Sequence, residues 1–296
     1  MEPTYPEHVA NIVQVFAEVR RVLKREGTLW MNYGDSYATS PNGRSAADVK
    51  ELGNDDRTFR DKPFSTIQGP LKSKDLCGIP WRVAFALQEA GWYLRQDIIW
   101  SKPNPMPESI KDRCTKAHEY LFLLAKSARY YFDAEAIAEP VTASTIARLS
   151  QDVESQVGSD RVPGKTNGRM KAAPPRFGGS KYGDLEGELH RTKSGNEYEL
   201  GNGTRNKRSV WEVATQPFSE AHFATFPPAL IEPCILAGCP KGGTVLDPFG
   251  GAGTTGLVAD RLQRDAILIE LNPEYASIAE RRIVGDSSLF AEVKAA

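Results

Sequence analysis

An α/β fold, with a mostly parallel twisted sheet and helices on both of its faces, is what this sequence predicts. Three observations carry that expectation. Segments with apolar residues at helical spacing alternate along the chain with short, continuous apolar runs. Near the C-terminus a strand, a glycine turn, a helix and a second strand follow one another, which is the βαβ unit of a parallel sheet. The chain has 296 residues, 40% of them hydrophobic, which suits one such domain with an insertion, or two small ones.

The first element is a helix over 7–26, with Val9, Ile12, Val13, Phe16, Val19, Val22 and Leu23 on one face. Gly27 ends it, and Thr28–Asn32 reads as a short strand. A polar loop opens at Tyr33-Gly34-Asp35-Ser36-Tyr37, and residues 39–74 lack periodicity. Pro80 suits the first turn of a second helix, whose apolar face is Val83, Ala84, Leu87 and Ala90, closed by Gly91. Residues 92–100 form a strand. Lys102-Pro103-Asn104-Pro105-Met106-Pro107 then forms a rigid loop, because three prolines in five residues fit neither a helix nor an inner strand. His118–Lys126 is a further strand. From Val210 the pattern is clear again. Phe226-Pro227-Pro228 starts a helix to about Gly238, and Thr244–Leu246 is a strand. Gly250–Gly256 is a glycine-rich turn, Leu257–Leu262 lies on a helix, and Ala266–Glu270 is a strand. Asn272-Pro273 opens a last helix through Ile283. Trp30, Trp81 and Trp92 read as core, and His118, without partners in the pattern, as structural.

A formal net charge of −1 excludes a uniformly basic nucleic-acid binder. No run of 18 apolar residues exists, and the N-terminus lacks a basic-then-apolar signal, so the expectation is a cytoplasmic protein without membrane contact. Cys77, Cys114, Cys234 and Cys239 are scattered without zinc-ligand spacing, so they are expected to be reduced and no metal is expected. Charge does concentrate locally. Residues 161–209 carry 11 Lys and Arg against 5 Asp and Glu, a net of +6, within a glycine-rich stretch (151–209) that lacks a core pattern. By charge alone this is a solvated insertion or an arm on a polyanion.

The most informative segment is Val245-Leu246-Asp247-Pro248-Phe249-Gly250-Gly251-Ala252-Gly253-Thr254-Thr255-Gly256. A buried strand feeds a tight glycine turn and then a helix, so a ligand sits at the carboxyl end of the sheet. Gly251–Gly256 fits G-x-G-x-x-G, and Glu270 follows Gly251 by 19 residues, at the end of the next strand. An acid there accepts from a ribose diol, which NAD and S-adenosylmethionine both possess. Three details favour S-adenosylmethionine. Asp247 ends the first strand, where a carboxylate suits an ammonium and a sulfonium but repels a pyrophosphate. Too little chain follows to build a second mononucleotide half, and Asn272-Pro273 follows Glu270 directly.

Asp247–Thr255 resembles the cofactor motif of the β group of DNA amino-methyltransferases, in which the cofactor half follows the catalytic half. His222-Phe223-Ala224-Thr225-Phe226-Pro227 resembles the segment that packs on the methionine end of the cofactor in that family. The N-terminal matches are Val19–Leu23, Gly27–Trp30, Asn32–Tyr37, Ile79–Arg82, Asp97–Pro107 and His118-Glu119-Tyr120. The resemblance implies a Rossmann-like, S-adenosylmethionine-dependent methyltransferase fold in permuted order. Residues 1–150 would be the catalytic half, 151–209 a basic target-recognition insertion, and 210–296 the cofactor half. It implies methyl transfer by base flipping to adenine N6 or cytosine N4 of a specific duplex DNA site, in a prokaryotic or phage-encoded protein. Whether a cognate restriction nuclease accompanies it is left open. The implied cofactor residues are His222, Ala224, Phe226, Asp247, Pro248, Phe249, Gly250, Gly251, Gly253, Thr254, Thr255, Glu270 and Asn272. For DNA they are Lys165, Arg169, Lys171, Arg176, Lys181, Arg191 and Lys193.

One part of the pattern is missing. The family uses Asp/Asn/Ser-Pro-Pro-Tyr/Phe to accept the two amine N–H bonds and to stack on the flipped base, and no such tetrapeptide occurs here. In the family it precedes the helix that begins here near Glu7, and its leading strand would be absent with it, leaving a seven-stranded sheet one short. Three explanations stay open: a late start or truncated gene, a non-catalytic relative that binds DNA and cofactor, or a different catalytic loop. Near the missing loop, Asn32 and Asp35 are candidates for the target-base side or for capping a loop, and Trp100 and Lys102 for an active-site wall or a DNA contact, or for packing beside a solvated lysine. A nicotinamide-dependent oxidoreductase is the remaining alternative.

Overall fold

The computed structural model describes residues 4–38, 70–142, 204–216, 218, 225–286 and 293–294. Helix α1 (Tyr5–Val22) starts where Thr4 Oγ1 accepts a hydrogen bond from the Glu7 amide at 3.2 Å, and it carries Arg20 and Arg21 in its last turn. Both ends therefore suit the helix dipole. It stops short of the expected 26 because the chain turns between Lys24 and Gly27. A Cβ on Gly27 would lie 2.5 Å from the Leu23 side chain, so a larger residue at the turn would have to displace Leu23. Strand β1 (Thr28–Tyr33), helix α2 (Ile79–Glu89), strand β2 (Tyr93–Ser101) and strand β3 (His118–Ala125) follow.

Strands β4 (Glu139–Pro140) and β5 (Thr204–Arg205) pair antiparallel within the unit Ala138–Lys207, where Arg205 and Lys207 both approach Glu139, at 3.6 and 3.7 Å. The other compact unit joins Met1–Ile137 to Arg208–Ala296. Its C-terminal elements are β6 (Val210–Glu212), α3 (Pro228–Gly238), β7 (Thr244–Asp247), α4 (Thr254–Arg261), β8 (Asp265–Leu268) and α5 (Pro273–Asp286).

The α/β class is as expected: in the unit that joins the two ends of the chain β1, β2 and β6 run parallel, β7 and β8 form a parallel pair, and β3 alone is antiparallel, though the described strands do not form one continuous sheet. One sheet has the order β1-β3-β2-β6, and β7 and β8 form a separate parallel pair. β3 runs antiparallel to β1 and β2 and lies between them, so those two are parallel to each other, and β6 is parallel to β2. The reason lies in the connection from β2 to β3. A parallel crossover needs a dozen or more residues and usually a helix. Here the link, residues 102–117, is long enough for a crossover but forms no helix, and it returns the chain alongside the strand it left.

Both faces of the four-stranded sheet are covered. Met31, Phe122 and Leu124 pack under α1 and α2 with Phe16, Val83 and Leu87. Their strand neighbours Trp30, Leu121, Ile98 and Trp100 pack on the other face with Leu230 and Cys234 of α3. Five consecutive residues of β3, Leu121–Ala125, are buried, as a strand with helices on both sides requires. A third cluster joins α3 and α4 through Ile231, Ile235, Leu257 and Val258, with Val245 of β7 against it.

Candidate active site

The loop after β7 is held by two carboxylates. Asp247 accepts from the Phe249 amide at 2.9 Å through Oδ1 and from the Thr255 hydroxyl at 2.5 Å through Oδ2, so it closes the glycine turn onto the first turn of α4. Glu270 accepts from the Gly251 amide and the Asn272 amide, each at 2.8 Å, one on each oxygen. The loop after β7 and the loop after β8 are thus tied through one side chain. A carboxylate offers about four acceptor sites, so Asp247 and Glu270 each keep about two.

The glycines are there for backbone reasons. Gly251 has φ +50° and Gly253 φ +77°, and a Cβ on Gly253 would stand 2.7 Å from that of Ala279 in α5. Behind the loop, Arg282 donates to the Ala252 carbonyl at 3.1 Å and to the Thr254 hydroxyl at 2.8 Å, and burial lowers the pKa of its guanidinium. Thr254 is buried, while Phe249 is 55% exposed, its ring edge-on to Phe16 with centroids 6.3 Å apart. Asn272 caps α5, accepting from the Glu274 amide at 2.9 Å. Phe226 packs against both the α3 face of the sheet and the third cluster. His222 and Ala224 lie outside the described residues, as do Lys165, Arg169, Lys171, Arg176, Lys181, Arg191 and Lys193.

A second group of polar side chains stands at the carboxyl ends of β1 and β2. Lys102 Nζ donates to Glu119 Oε1 at 2.5 Å and lies 4.2 Å from the centre of the Trp100 ring. Asn32 Nδ2 donates to Glu119 Oε2 at 3.2 Å and to the Tyr120 carbonyl at 3.1 Å. Trp100 is buried, and its indole N–H donates to the Val213 carbonyl at 2.7 Å. The proline loop is fixed by two hydrogen bonds between Asn104 and the Thr215 backbone, at 2.9 and 3.2 Å. Lys116 donates to the Asp35 carbonyl at 3.1 Å, and burial lowers its pKa against the pull of Asp35 and Glu119.

Of the four candidates near the missing loop, three meet here: Asn32, Trp100 and Lys102. Asp35 has another use. Its carboxylate accepts from the Gly78 and Ile79 amides, both at 3.1 Å, and from its neighbour Ser36 at 2.9 Å, so it caps α2. Glu119 is the member that sequence reasoning did not find. A Glu opening a strand is ordinary in sequence, and only the pairing of Trp100 with Glu119 across β2 and β3 sets it beside Lys102.

Comparison with known proteins gives a consistent result. A family model described as DNA methylase, of the N6/N4 class, matches residues 2–281. Type II methyltransferase M.XycI of Xanthomonas campestris pv. cyanopsidis is 41% identical over 296 residues, covering all of this chain and 78% of the relative. M.Cfr9I of Citrobacter freundii is 42% identical over the same length, with the same coverage. Among solved structures, PvuII DNA methyltransferase (cytosine-N4-specific) aligns with a TM-score of 0.55 at 18% identity, over 94% of this chain and 71% of that one. A DNA modification methylase of Thermus thermophilus, complexed with S-adenosyl-L-methionine, aligns with a TM-score of 0.50 at 18% identity, over 97% and 80%. These two are likenesses of fold.

Proposed function

This chain belongs to the DNA methylase family, and from that premise we propose that Asp247, Glu270 and the glycine loop between them hold its methyl donor. The enzyme transfers a methyl group from S-adenosylmethionine to an exocyclic amine of DNA, adenine N6 or cytosine N4. The observation that carries the placement of the donor is the pair of strand-end carboxylates, each with acceptor capacity left over, on either side of a loop in which a Cβ on Gly251 would meet nothing nearer than 3.8 Å. The residues fit the group: Glu270 faces a diol, Asp247 faces positive charge, and glycine lets the ligand approach the backbone.

When bound, S-adenosylmethionine supplies an electrophilic methyl group on a sulfonium. The chain's own work is to position and to desolvate. Asp247 and Thr255 fix the turn, Phe249 offers an exposed ring beside Phe16, and Arg282 braces the loop from behind. An exocyclic amine is a weak nucleophile because its lone pair is delocalised into the ring. Acceptors for its N–H bonds and in-line placement therefore carry most of the acceleration. No Asp/Asn/Ser-Pro-Pro-Tyr/Phe tetrapeptide stands among the 296 residues to supply those acceptors.

Residues 1–150 would form the base side, 210–296 the cofactor side, and the basic stretch 151–209 the surface that reads duplex DNA. The net charge of +6 over 161–209 supports that last assignment. The relatives are bacterial Type II methyltransferases, which supports a companion restriction nuclease and a place in the cytoplasm, beside the chromosome. No described helix is long and apolar enough to cross a membrane.

The test is calorimetric titration with S-adenosylhomocysteine, with NAD as control, followed by transfer of labelled methyl groups to duplex DNA. Micromolar binding of the first ligand alone, together with amine-linked label in DNA, is the expected result. Binding of NAD instead, or no label in DNA, would sink the proposal.

A further inference from the structure

A cavity of about 420 Å³ lies between the helices α3, α4 and α5 and Gln216. Pro228 and Leu257 form its apolar wall, and Arg261, Arg282 and Asp286 its charged one. Gly285 also lines it, and a Cβ there would meet nothing within 4 Å. Asp247 and Glu270 do not line this cavity, so it is separate from the place assigned to the methyl donor.

Its two arginines are satisfied differently. A guanidinium carries its N–H donors in a flat fork that matches a carboxylate or a phosphate two bonds at a time. The fork of Arg261 is filled: Nε and Nη2 donate to the two oxygens of Asp286, at 2.6 and 2.5 Å. The fork of Arg282 is not. Its Nη1 donates to the Ala252 carbonyl and the Thr254 hydroxyl, while Nε and Nη2 have no partner among the described residues. Nor does Arg282 form an ion pair with any of them. Its guanidinium lies over the Phe218 ring, 4.6 Å from the centre. Burial lowers its pKa, and the positive charge of Arg261 lowers it further. Two guanidiniums and one carboxylate leave this wall one positive charge in excess. A partly buried cation without a counter-ion is costly, and a bound anion offsets that cost.

We propose that this cavity binds a phosphate group in the free Nε–Nη2 fork of Arg282, and that its occupancy tightens the glycine loop's hold on the methyl donor. A phosphate suits the cavity better than a carboxylate because donors remain beyond one fork, on Nη1 of Arg261 and on the Gln216 amide. One fork uses up both oxygens of a carboxylate, whereas a phosphate keeps a third. A free phosphate ester and the DNA backbone both offer that chemistry. The coupling runs through a single guanidinium. Nη1 of Arg282 grips the loop at Ala252 and Thr254, and the opposite edge receives the anion. The anion offsets the charge of Arg261 and so holds Arg282 where it braces the loop. By linkage, phosphate and donor then raise each other's affinity by the same factor. The coupling, though not the anion site, rests on the proposed function.

The experiment uses the full chain. S-adenosylhomocysteine is titrated calorimetrically in inorganic phosphate and in chloride of equal ionic strength. Affinity should be about fivefold or more higher in phosphate. Arg261→Gln removes one cation and releases Asp286 to neutralise the other, so it should abolish that rise. Asp286→Asn removes the competing anion and should enlarge it. Neither residue bonds to the glycine loop, so in chloride both variants should bind S-adenosylhomocysteine as the unaltered chain does, which also checks that they are folded. No rise in phosphate, or the same rise in all three chains, overturns the coupling. Phosphorus NMR reads the site without any donor. The phosphate line should broaden with the unaltered chain and not with Arg261→Gln, and equal broadening by both, or none by either, overturns the site. A chain that never binds S-adenosylhomocysteine overturns the donor placement and the coupling with it, while the NMR result still decides the anion site. Displacement of phosphate by a short duplex would make the DNA backbone the source of the group, and its retention would make it a free ester.

Discussion

The carboxylate of Asp35 accepts a hydrogen bond from the amide of Ile79, 44 residues further along the chain, at 3.1 Å. With the bond from Gly78 it supplies the N-terminal cap that α2 lacks from its own sequence, since the cap residue is a glycine in the left-handed conformation. Asp35→Ala should therefore lower stability by about 1–2 kcal/mol, read by urea unfolding, while affinity for S-adenosylhomocysteine stays within about twofold. A large loss of ligand affinity at unchanged stability would place Asp35 in the ligand site instead.

Glu270 is predicted to act on the donor site twice, by accepting from the ligand and by tying the Gly251 amide to the Asn272 amide. Hydrogen bonds to a charged group contribute about 1.5–3 kcal/mol each. Glu270→Ala should cut S-adenosylhomocysteine affinity by about 30-fold or more in calorimetry, and Glu270→Gln by less, because one acceptor oxygen survives. Equal affinity in Glu270→Ala would remove the residue from the site.

Gly253→Ala combines two penalties. The backbone is left-handed there, which costs a residue with a Cβ about 1–2 kcal/mol, and the new methyl would meet Ala279. Overpacking of that kind adds about 1–3 kcal/mol. The expected loss in chemical denaturation is about 2–5 kcal/mol, and Ala279→Gly should recover the part that is steric. Rescue of the whole loss would show that φ contributes nothing.

Lys116 gives a pH signature. Burial lowers its pKa in the folded chain, so the unfolded chain binds more protons between that lowered value and the ordinary lysine value of about 10.4. Stability contributed through this group therefore rises with pH across that window and is least below it. Lys116→Met should remove the rise, seen as a gap between variant and unaltered unfolding curves that changes from neutral pH toward pH 10. A gap constant in pH would contradict it.

The basic stretch should declare itself through salt. Replacing Lys165, Arg169 and Lys171 together by alanine is expected to weaken duplex binding. It should also flatten the dependence of log affinity on log salt, by about one unit for each phosphate that the variant no longer neutralises. An unchanged slope would assign that stretch to something other than the DNA backbone.

The parts legible in the sequence are those written in local pattern. The helical spacing from Val9 to Val19, Pro80 at the head of α2, and the strand-to-glycine turn at Asp247 each announce themselves within a dozen residues. Glu270 is legible too, because its spacing from Gly251 follows from the βαβ geometry. Pairings between distant strands carry no such local mark. Nothing near Asp35 says that its partners are the amides of Gly78 and Ile79, and nothing near Glu119 says that Trp100 lies opposite it. The antiparallel return of β3 is hidden for the same reason: alternation of helix and strand suggests crossovers, and the proline loop makes a reversal instead.

The polar group at the ends of β1 and β2 also has a place in time. Asn32, Lys102 and Glu119 all precede Ala125, whereas α3 begins at Pro228 and the glycine loop follows Asp247. Ribosomes emit about 5–20 residues per second, and domains form from the N-terminus onward. For several seconds of every synthesis, then, the sheet face bearing Trp30, Leu121 and Trp100 is made but uncovered, an apolar surface awaiting a helix not yet translated. Released chains that end at Ile137 should bind a hydrophobic dye or a holdase chaperone, and those that extend beyond Gly238 should not. The face that α3 comes to cover would thus be the one the cell has to guard while the protein is being born.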